Sequence, residues 1–190
     1  EMCIRDSPED YILVSLPIVT ANIPNRNLQG FQLEEISYFC PIYGCMIYQT
    51  FNKKCCHIDH QNNDPTKAKG VIADSNVQYV PRYDIWKINA VTLWDRSKDA
   101  NLVKSILEKK RTGYSMGATV AAFLCSICGK VDNLDDHSCE HMKNKGKLYP
   151  VRGSDYARLA YQICSGTVYF EISSVSEPAD PSAVSLDVYV

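Results

Sequence analysis

Only one stretch of this chain carries clear helical spacing. Leu102, Val103, Ile106 and Leu107 fall on one helical face, and Asp99 or Ser97 stands where an N-cap belongs. Lys109, Lys110 and Arg111 follow where cations complement a helix dipole, and Gly113 sits just past them. The helix is therefore expected to end immediately before Ser115. Elsewhere the apolar residues come in short runs or alternate with period two, so the core must be built mainly from strands. The run from Tyr11 to Val19 reads as a buried strand, too short to span a bilayer. Val71 to Val80 and Ile85 to Trp94 read as two more, broken at Pro81. Nothing divides the 190 residues in two, so one domain is expected over residues 8–190.

Two strands carry chemistry. Tyr114, Met116, Ala118 and Val120 alternate with Ser115, Gly117 and Thr119, which puts Ser115 on a small, polar face where Gly117 leaves room for a substrate. Val168, Phe170 and Ile172 alternate with Tyr169, Glu171 and Ser173, so Glu171 also belongs to a polar face. A serine hydroxyl becomes a nucleophile when a base takes its proton and a third group orients that base. His60 in C-C-H-I-D-H, Ser115 in G-Y-S-M-G and Glu171 in Y-F-E-I-S-S supply the three parts from separate segments. His57 competes with His60. Residues three apart in a strand point to opposite faces, so one of the two is expected to face Ser115. G-Y-S-M-G also fits the nucleophile elbow G-x-S-x-G, but that elbow needs a helix after the serine and an acid and histidine downstream. Here the helix precedes the serine, and the downstream histidines His137 and His141 lie among cysteines.

The order His, Ser, Glu and the words around each residue resemble the prohead (capsid maturation) serine proteases of tailed phages, whose fold is related to that of herpesvirus assemblins. The matching segments are H-I-D-H-Q-N-N-D-P-T-K-A-K-G-V-I, G-Y-S-M-G-A and E-I-S-S-V-S-E-P-A-D-P-S-A, the last being the most specific, within a span from Tyr38 to Ala183. The resemblance implies an α+β domain on a closed or nearly closed antiparallel β-barrel with flanking helices. It implies His60 as base, Ser115 as nucleophile and Glu171 as third member. Assemblins use a second histidine in the third role, which keeps a histidine open there. The implied substrates are phage scaffold and capsid proteins, and the protease itself, cut inside an assembling prohead in the host bacterial cytoplasm. Homo-oligomerisation is left open, and no oxyanion-hole donor is assigned.

One segment departs from the pattern: a Cys/His-rich insertion over residues 122–147, between Ser115 and Glu171. Its Cys125-Ser126-Ile127-Cys128-Gly129 is half of a tetrahedral zinc site, and Cys139 and His141 complete four ligands, with His137 as a substitute for His141. A filled set leaves no open coordination position, so the expected Zn²⁺ is structural, in a small knuckle-like insertion, and catalysis needs no cofactor. Cys40, Cys45, Cys55, Cys56, His57 and His60 match no knuckle spacing and read as small apolar residues and site residues. The H-x-H-x-D-H spacing of metallohydrolases is absent.

Nine cysteines, an odd number, in a chain with no cationic, apolar leader argue against a secreted disulfide framework and for a reducing compartment. A net charge of −2, with Asp132, Asp135 and Asp136 in the insertion, argues against a direct nucleic-acid role, and no membrane segment is seen. The opening Glu1 to Ser7 resembles translated sequencing-adapter bases and is expected to be a non-native leader. Two other readings stand beside the protease. One is a non-catalytic capsid-assembly or scaffold-binding protein with a structural zinc module. The other is a zinc-ribbon interaction module in which G-x-S-x-G is accidental.

Overall fold

A computed structural model describes residues 8–132 and 139–189. The leader Glu1 to Ser7, and Asp135, Asp136 and His137 of the insertion, lie outside the described residues. In chain order the strands are β1 (Tyr11–Thr20), β2 (Gln29–Phe31), β3 (Phe39–Cys40), β4 (Cys45–Met46), β5 (Cys55–Ile58), β6 (Gly70–Val80), β7 (Ile85–Asp95), β8 (Gly113–Thr119), β9 (Ala122–Cys125), β10 (Val131–Asp132), β11 (Leu148–Pro150), β12 (Ala157–Leu159), β13 (Gln162–Ser165), β14 (Val168–Val175) and β15 (Asp187–Tyr189). The helices are α1 (Leu33–Ile36), α2 (Ala100–Leu107) and α3 (Glu140–Lys143). The architecture is mixed α+β, mostly strands with few helices. Among the described residues no helix is long and apolar enough to cross a membrane.

A seven-stranded sheet in the order β15-β1-β7-β6-β5-β14-β8 forms the body of the molecule. Its centre is the hairpin of β6 and β7, where Pro81 opens a 3-10 turn and Asp84 takes the left-handed conformation that reverses the chain. β1 pairs along β7 for nearly its whole length, and its apolar run explains why: Ile12, Val14, Leu16, Ile18 and Val19 are all buried. Trp94, Tyr114, Tyr169 and Phe51 fill the core, with the Phe51 and Tyr169 rings stacked 4.1 Å apart.

Of the expected closed or nearly closed antiparallel barrel, the closed, all-antiparallel form is not what the strands make. The sheet is open, and one of its pairs, β5 with β14, runs parallel. The reason is local. The start of β8, which closure would pair with the far edge, is taken by an irregular segment: Tyr114 donates its N–H to the Ala183 carbonyl at 2.8 Å and Ser185 donates to the Thr112 carbonyl at 2.9 Å. One residue on, Leu186 donates to the Ser15 carbonyl of β1 at 2.8 Å, so this segment ties the two ends of the sheet without a continuous ladder between them.

Two local expectations also change. Helix α2 is capped by Asp99, whose carboxylate accepts the Leu102 N–H at 2.9 Å, but it ends at Leu107, well before Ser115. Lys109, not Gly113, takes the left-handed turn (φ 55°), and Gly113 opens β8 because a Cβ there would stand 2.8 Å from the Val175 carbonyl oxygen. In β14 the strict alternation fails at Phe170. Tyr169 faces Ala118 and Glu171 faces Gly117, so Phe170 is an extra, exposed residue, and Tyr169 joins Ile172 in the core.

The insertion is not held by a loop alone. β9 and β10 belong to a second sheet, β10-β9-β13-β2, in which β13 runs parallel to β2.

Candidate active site and metal centre

Three neighbouring strands at one edge of the main sheet, β5, β14 and β8, carry the polar residues in register. Ser173 stands opposite Ser115 on β8 and opposite His57 on β5, and Glu171, two residues earlier, stands opposite Gly117 and Cys55. Directly opposed residues share a face, so Ser115, Gly117, Ser173, Glu171 and His57 all point to one side. Every one of the charged or hydroxyl groups among them is buried: Ser115 is 8% exposed, Glu171 1% and Ser173 0%.

His60 is not in a strand. β5 ends at Ile58, and Asp59 and His60 then both take left-handed backbone conformations, with φ of 46° and 56°. Each costs about 1–3 kcal/mol for a residue with a Cβ, so the surroundings must hold them. They do. The Asp59 N–H donates to the Ser174 carbonyl at 3.0 Å and the His60 N–H to Ser173 Oγ at 3.2 Å. The tight turn folds the imidazole back over the polar face, where Nδ1 lies 2.6 Å from Glu171 Oε1. Ser173 Oγ donates to the other carboxylate oxygen, Oε2, at 2.6 Å. Glu171 thereby keeps the His60 tautomer with its proton on Nδ1 and leaves Nε2 free to accept.

His60 and Ser115 line the same pocket of about 130 Å³, together with Met116, Phe31, Gln29 and Asp180. That is below the roughly 300–1,000 Å³ of small-molecule sites, so it suits one residue of a longer ligand better than a whole metabolite. Among the described residues no hydrogen bond joins His60 to Ser115. A long approach is common before substrate closes such a site.

His57 sits differently. It is 3% exposed, its Nδ1 has no partner among the described residues, and burial lowers its pKa from 6.5. Two inter-strand steps, about 10 Å between backbones, separate it from Ser115, with Ser173 between them. His60 is the opposite case: the hydrogen bond it donates to Glu171 raises its pKa above 6.5 against some desolvation. Strand periodicity could not separate these two histidines, because it does not extend past Ile58.

Gly117 has a different role from the one its place in the motif suggests. A Cβ on it would stand 2.7 Å from both Cγ and Oε1 of Glu171 and 2.8 Å from Phe170 Cζ, so the glycine makes room for the carboxylate. Two contributors were missed in the sequence. Ser173 carries a faint signal, its place two residues from Glu171 on the same strand face. Arg111, whose guanidinium pairs with Asp59, carries none.

The second cluster lies at the end of β9. Cys125, Cys128, Cys139 and His141 bring their ligand atoms within 4.8 Å of one another. The turn is preformed: Ile127 donates its N–H to Cys125 Sγ at 3.4 Å, and Gly129 takes φ 71° as its N–H returns to the Cys125 carbonyl. The Lys130 backbone N–H is the main cause pushing the Cys128 thiol down to about 7, while burial pushes Cys125 up to about 11. Nδ1 of His141 is buried without a partner among the described residues, and the ring packs edge-on against Tyr149 at 4.6 Å. Three thiols and one orphaned imidazole nitrogen suit a tetrahedral ion, whose ligand atoms lie about 3.8 Å apart, so a small contraction would close the site. Cys125, Met142 and Ala160 form a small core around it. No comparable cluster gathers Cys40, Cys45, Cys55, Cys56, His57 and His60 among the described residues.

Comparison of the chain with known protein families, with curated proteins and with solved structures found no match.

Gly117→Ala should displace Glu171 and cost about 1–3 kcal/mol of stability by overpacking, read from denaturant unfolding, with loss of any activity that depends on Ser115. Protein purified without chelator should carry one metal ion per chain. The double substitution Cys125→Ser, Cys128→Ser should abolish it and expose the segment around β9 and β10 to protease, measured by elemental analysis and limited proteolysis. Metal-free wild-type protein with that segment already protected would reject the metal site.

Proposed function

We propose that this chain is a serine endopeptidase of the prohead-protease kind, with Ser115 as nucleophile, His60 as base and then acid, and Glu171 as the group that orients His60. The observation that carries the reading is the 2.6 Å pairing of His60 Nδ1 with a buried Glu171 at the mouth of the pocket that holds Ser115. In the first step Nε2 takes the hydroxyl proton as Ser115 Oγ attacks a peptide carbonyl. The imidazolium so formed is stabilised by Glu171, and it then protonates the leaving amine. Water enters by the same route in reverse and releases the acyl group. The order of the motifs, and the E-I-S-S-V-S-E-P-A-D-P-S-A segment, favour scaffold and capsid proteins of an assembling phage prohead as substrates, with self-cleavage. An assemblin-like ancestry of the open, curled sheet belongs to the same proposal.

We further propose Zn²⁺ as the ion of the Cys125, Cys128, Cys139, His141 site. Bound there it would supply structural order and no chemistry, because four protein ligands leave no position for water.

A fluorophosphonate probe should label the wild-type protein at Ser115, and co-expression with the scaffold protein of the same phage should yield cleaved fragments. Both should vanish in Ser115→Ala, which removes one hydroxyl and keeps the fold. Labelling or cleavage that persists in pure Ser115→Ala protein rules out this nucleophile. A folded wild-type protein that neither labels nor cleaves would favour the non-catalytic capsid-assembly role.

The pH profile follows from His60. The base works neutral, so kcat/KM should fall on acidification with a midpoint above 6.5, because Glu171 holds the proton on the ring. Glu171→Gln should lower kcat and move that midpoint downward. An unmoved midpoint would mean another group titrates.

A further inference from the structure

Arg111 closes a basic run whose other members have ordinary surface roles. Lys110 pairs with Glu108 at 2.6 Å, and Lys109 makes the turn after α2. Arg111 turns inward instead. Its Nε donates to Ser174 Oγ at 2.9 Å, and Nη2 donates to the Ser174 carbonyl at 2.9 Å and also pairs with Asp59 Oδ1. One planar group thus holds both the strand that carries Glu171 and the residue directly before His60. A guanidinium can do this because its donors are fixed in a fork, and a lysine cannot.

The arrangement matters because of what Asp59 and His60 are asked to do. Both hold left-handed backbones, and no glycine eases the turn. Two backbone N–H bonds, to Ser174 and Ser173, set the loop against β14, but they fix only the main chain. The Asp59 side chain is half exposed, and Arg111 is what ties it down. If that tie is released, the loop can relax toward ordinary backbone angles, and the first consequence is a change in where the imidazole meets Glu171.

We infer that Arg111 is a positioning residue for the base: acting through Asp59, it holds the His60 loop in the conformation that lets Nδ1 reach Glu171. This rests on the serine-protease reading for its effect on turnover, but the positioning itself can be measured without turnover. Arg111 touches neither Ser115 nor His60 among the described contacts. The groups facing the base are Glu171 and Asp59, with Arg111 behind Asp59.

The test uses the full chain with the substitutions Arg111→Met, Arg111→Lys, Asp59→Asn and the Arg111→Met, Asp59→Asn pair. The first readout is the strongly deshielded proton resonance of the short His60 to Glu171 hydrogen bond. It should be present in the wild type, absent or exchange-broadened in Arg111→Met and Asp59→Asn, and only partly retained in Arg111→Lys. The second readout is peptide hydrolysis. Here kcat should fall about tenfold to hundredfold with KM little changed, as expected for a misplaced group. The double variant should be no worse than either single one, because both break the same link. If Arg111→Met does not fold, Asp59→Asn carries the test alone, since its side chain is exposed. A resonance and kcat unchanged in the single variants, losses that simply add in the double variant, or a wild-type spectrum without the resonance would each overturn the assignment. A wild type that shows the resonance and cleaves nothing would reject the protease reading and leave the positioning role decided by the spectra.

Discussion

A carboxylate that is 1% exposed organises this molecule. Taking an ionised group out of water costs several kcal/mol unless its oxygens are bonded and its charge is faced by a partner. Glu171 satisfies both demands with groups from separate parts of the chain. Ser173 Oγ serves one oxygen from the same strand face, and His60 Nδ1 serves the other from a loop 111 positions away. The space for it is made by a glycine on the neighbouring strand. The extra residue at Phe170 brings Glu171 opposite that glycine, and the left-handed turn at Asp59 and His60 brings the imidazole down onto it.

The same constraint explains why the two histidines of C-C-H-I-D-H have opposite tendencies. His57 stays within a strand and is shut away from water, and burial outweighs the pull of the Glu171 charge, so its neutral form is favoured. His60 leaves the strand, keeps a half-open ring and meets a carboxylate, so its proton is held more tightly. An imidazole accepts a proton only in its neutral form, and His60 has one nitrogen oriented by the carboxylate and the other left open.

Much of this was legible in the residues themselves. A continuous apolar run found β1, the break at Pro81 separated β6 from β7, period-two alternation found the polar faces of β8 and β14, and one capped amphipathic segment found α2. The four members of the Cys/His cluster could be read off C-x-x-C and C-x-H, although the second half is tight, because α3 starts directly after Cys139 and brings His141 round within two residues. What could not be read were departures from periodicity. No local pattern announces that Lys109 rather than Gly113 turns the chain, that Phe170 is supernumerary, or that Asp59 and His60 adopt glycine-like angles. These are set by partners far away in sequence: the Val175 carbonyl, the Glu171 side chain and the Ser174 carbonyl. The open sheet has the same origin, since the competitor for the start of β8 is a segment without strand periodicity of its own.

That segment also sets an order in time. β1 and the β6–β7 hairpin pair with one another and need nothing later in the chain, whereas the strand bearing Ser115 has β14 as its neighbour in the sheet and must wait for it. Glu171 arrives later, and Ala183 to Leu186, which fasten the start of β8 to the far end of the sheet, arrive later still. Until residue 186 has been added, the strand bearing Ser115 lacks its outer anchor. The face that gathers Ser115, Glu171 and His60 is therefore assembled last, when nearly all of the described residues are present.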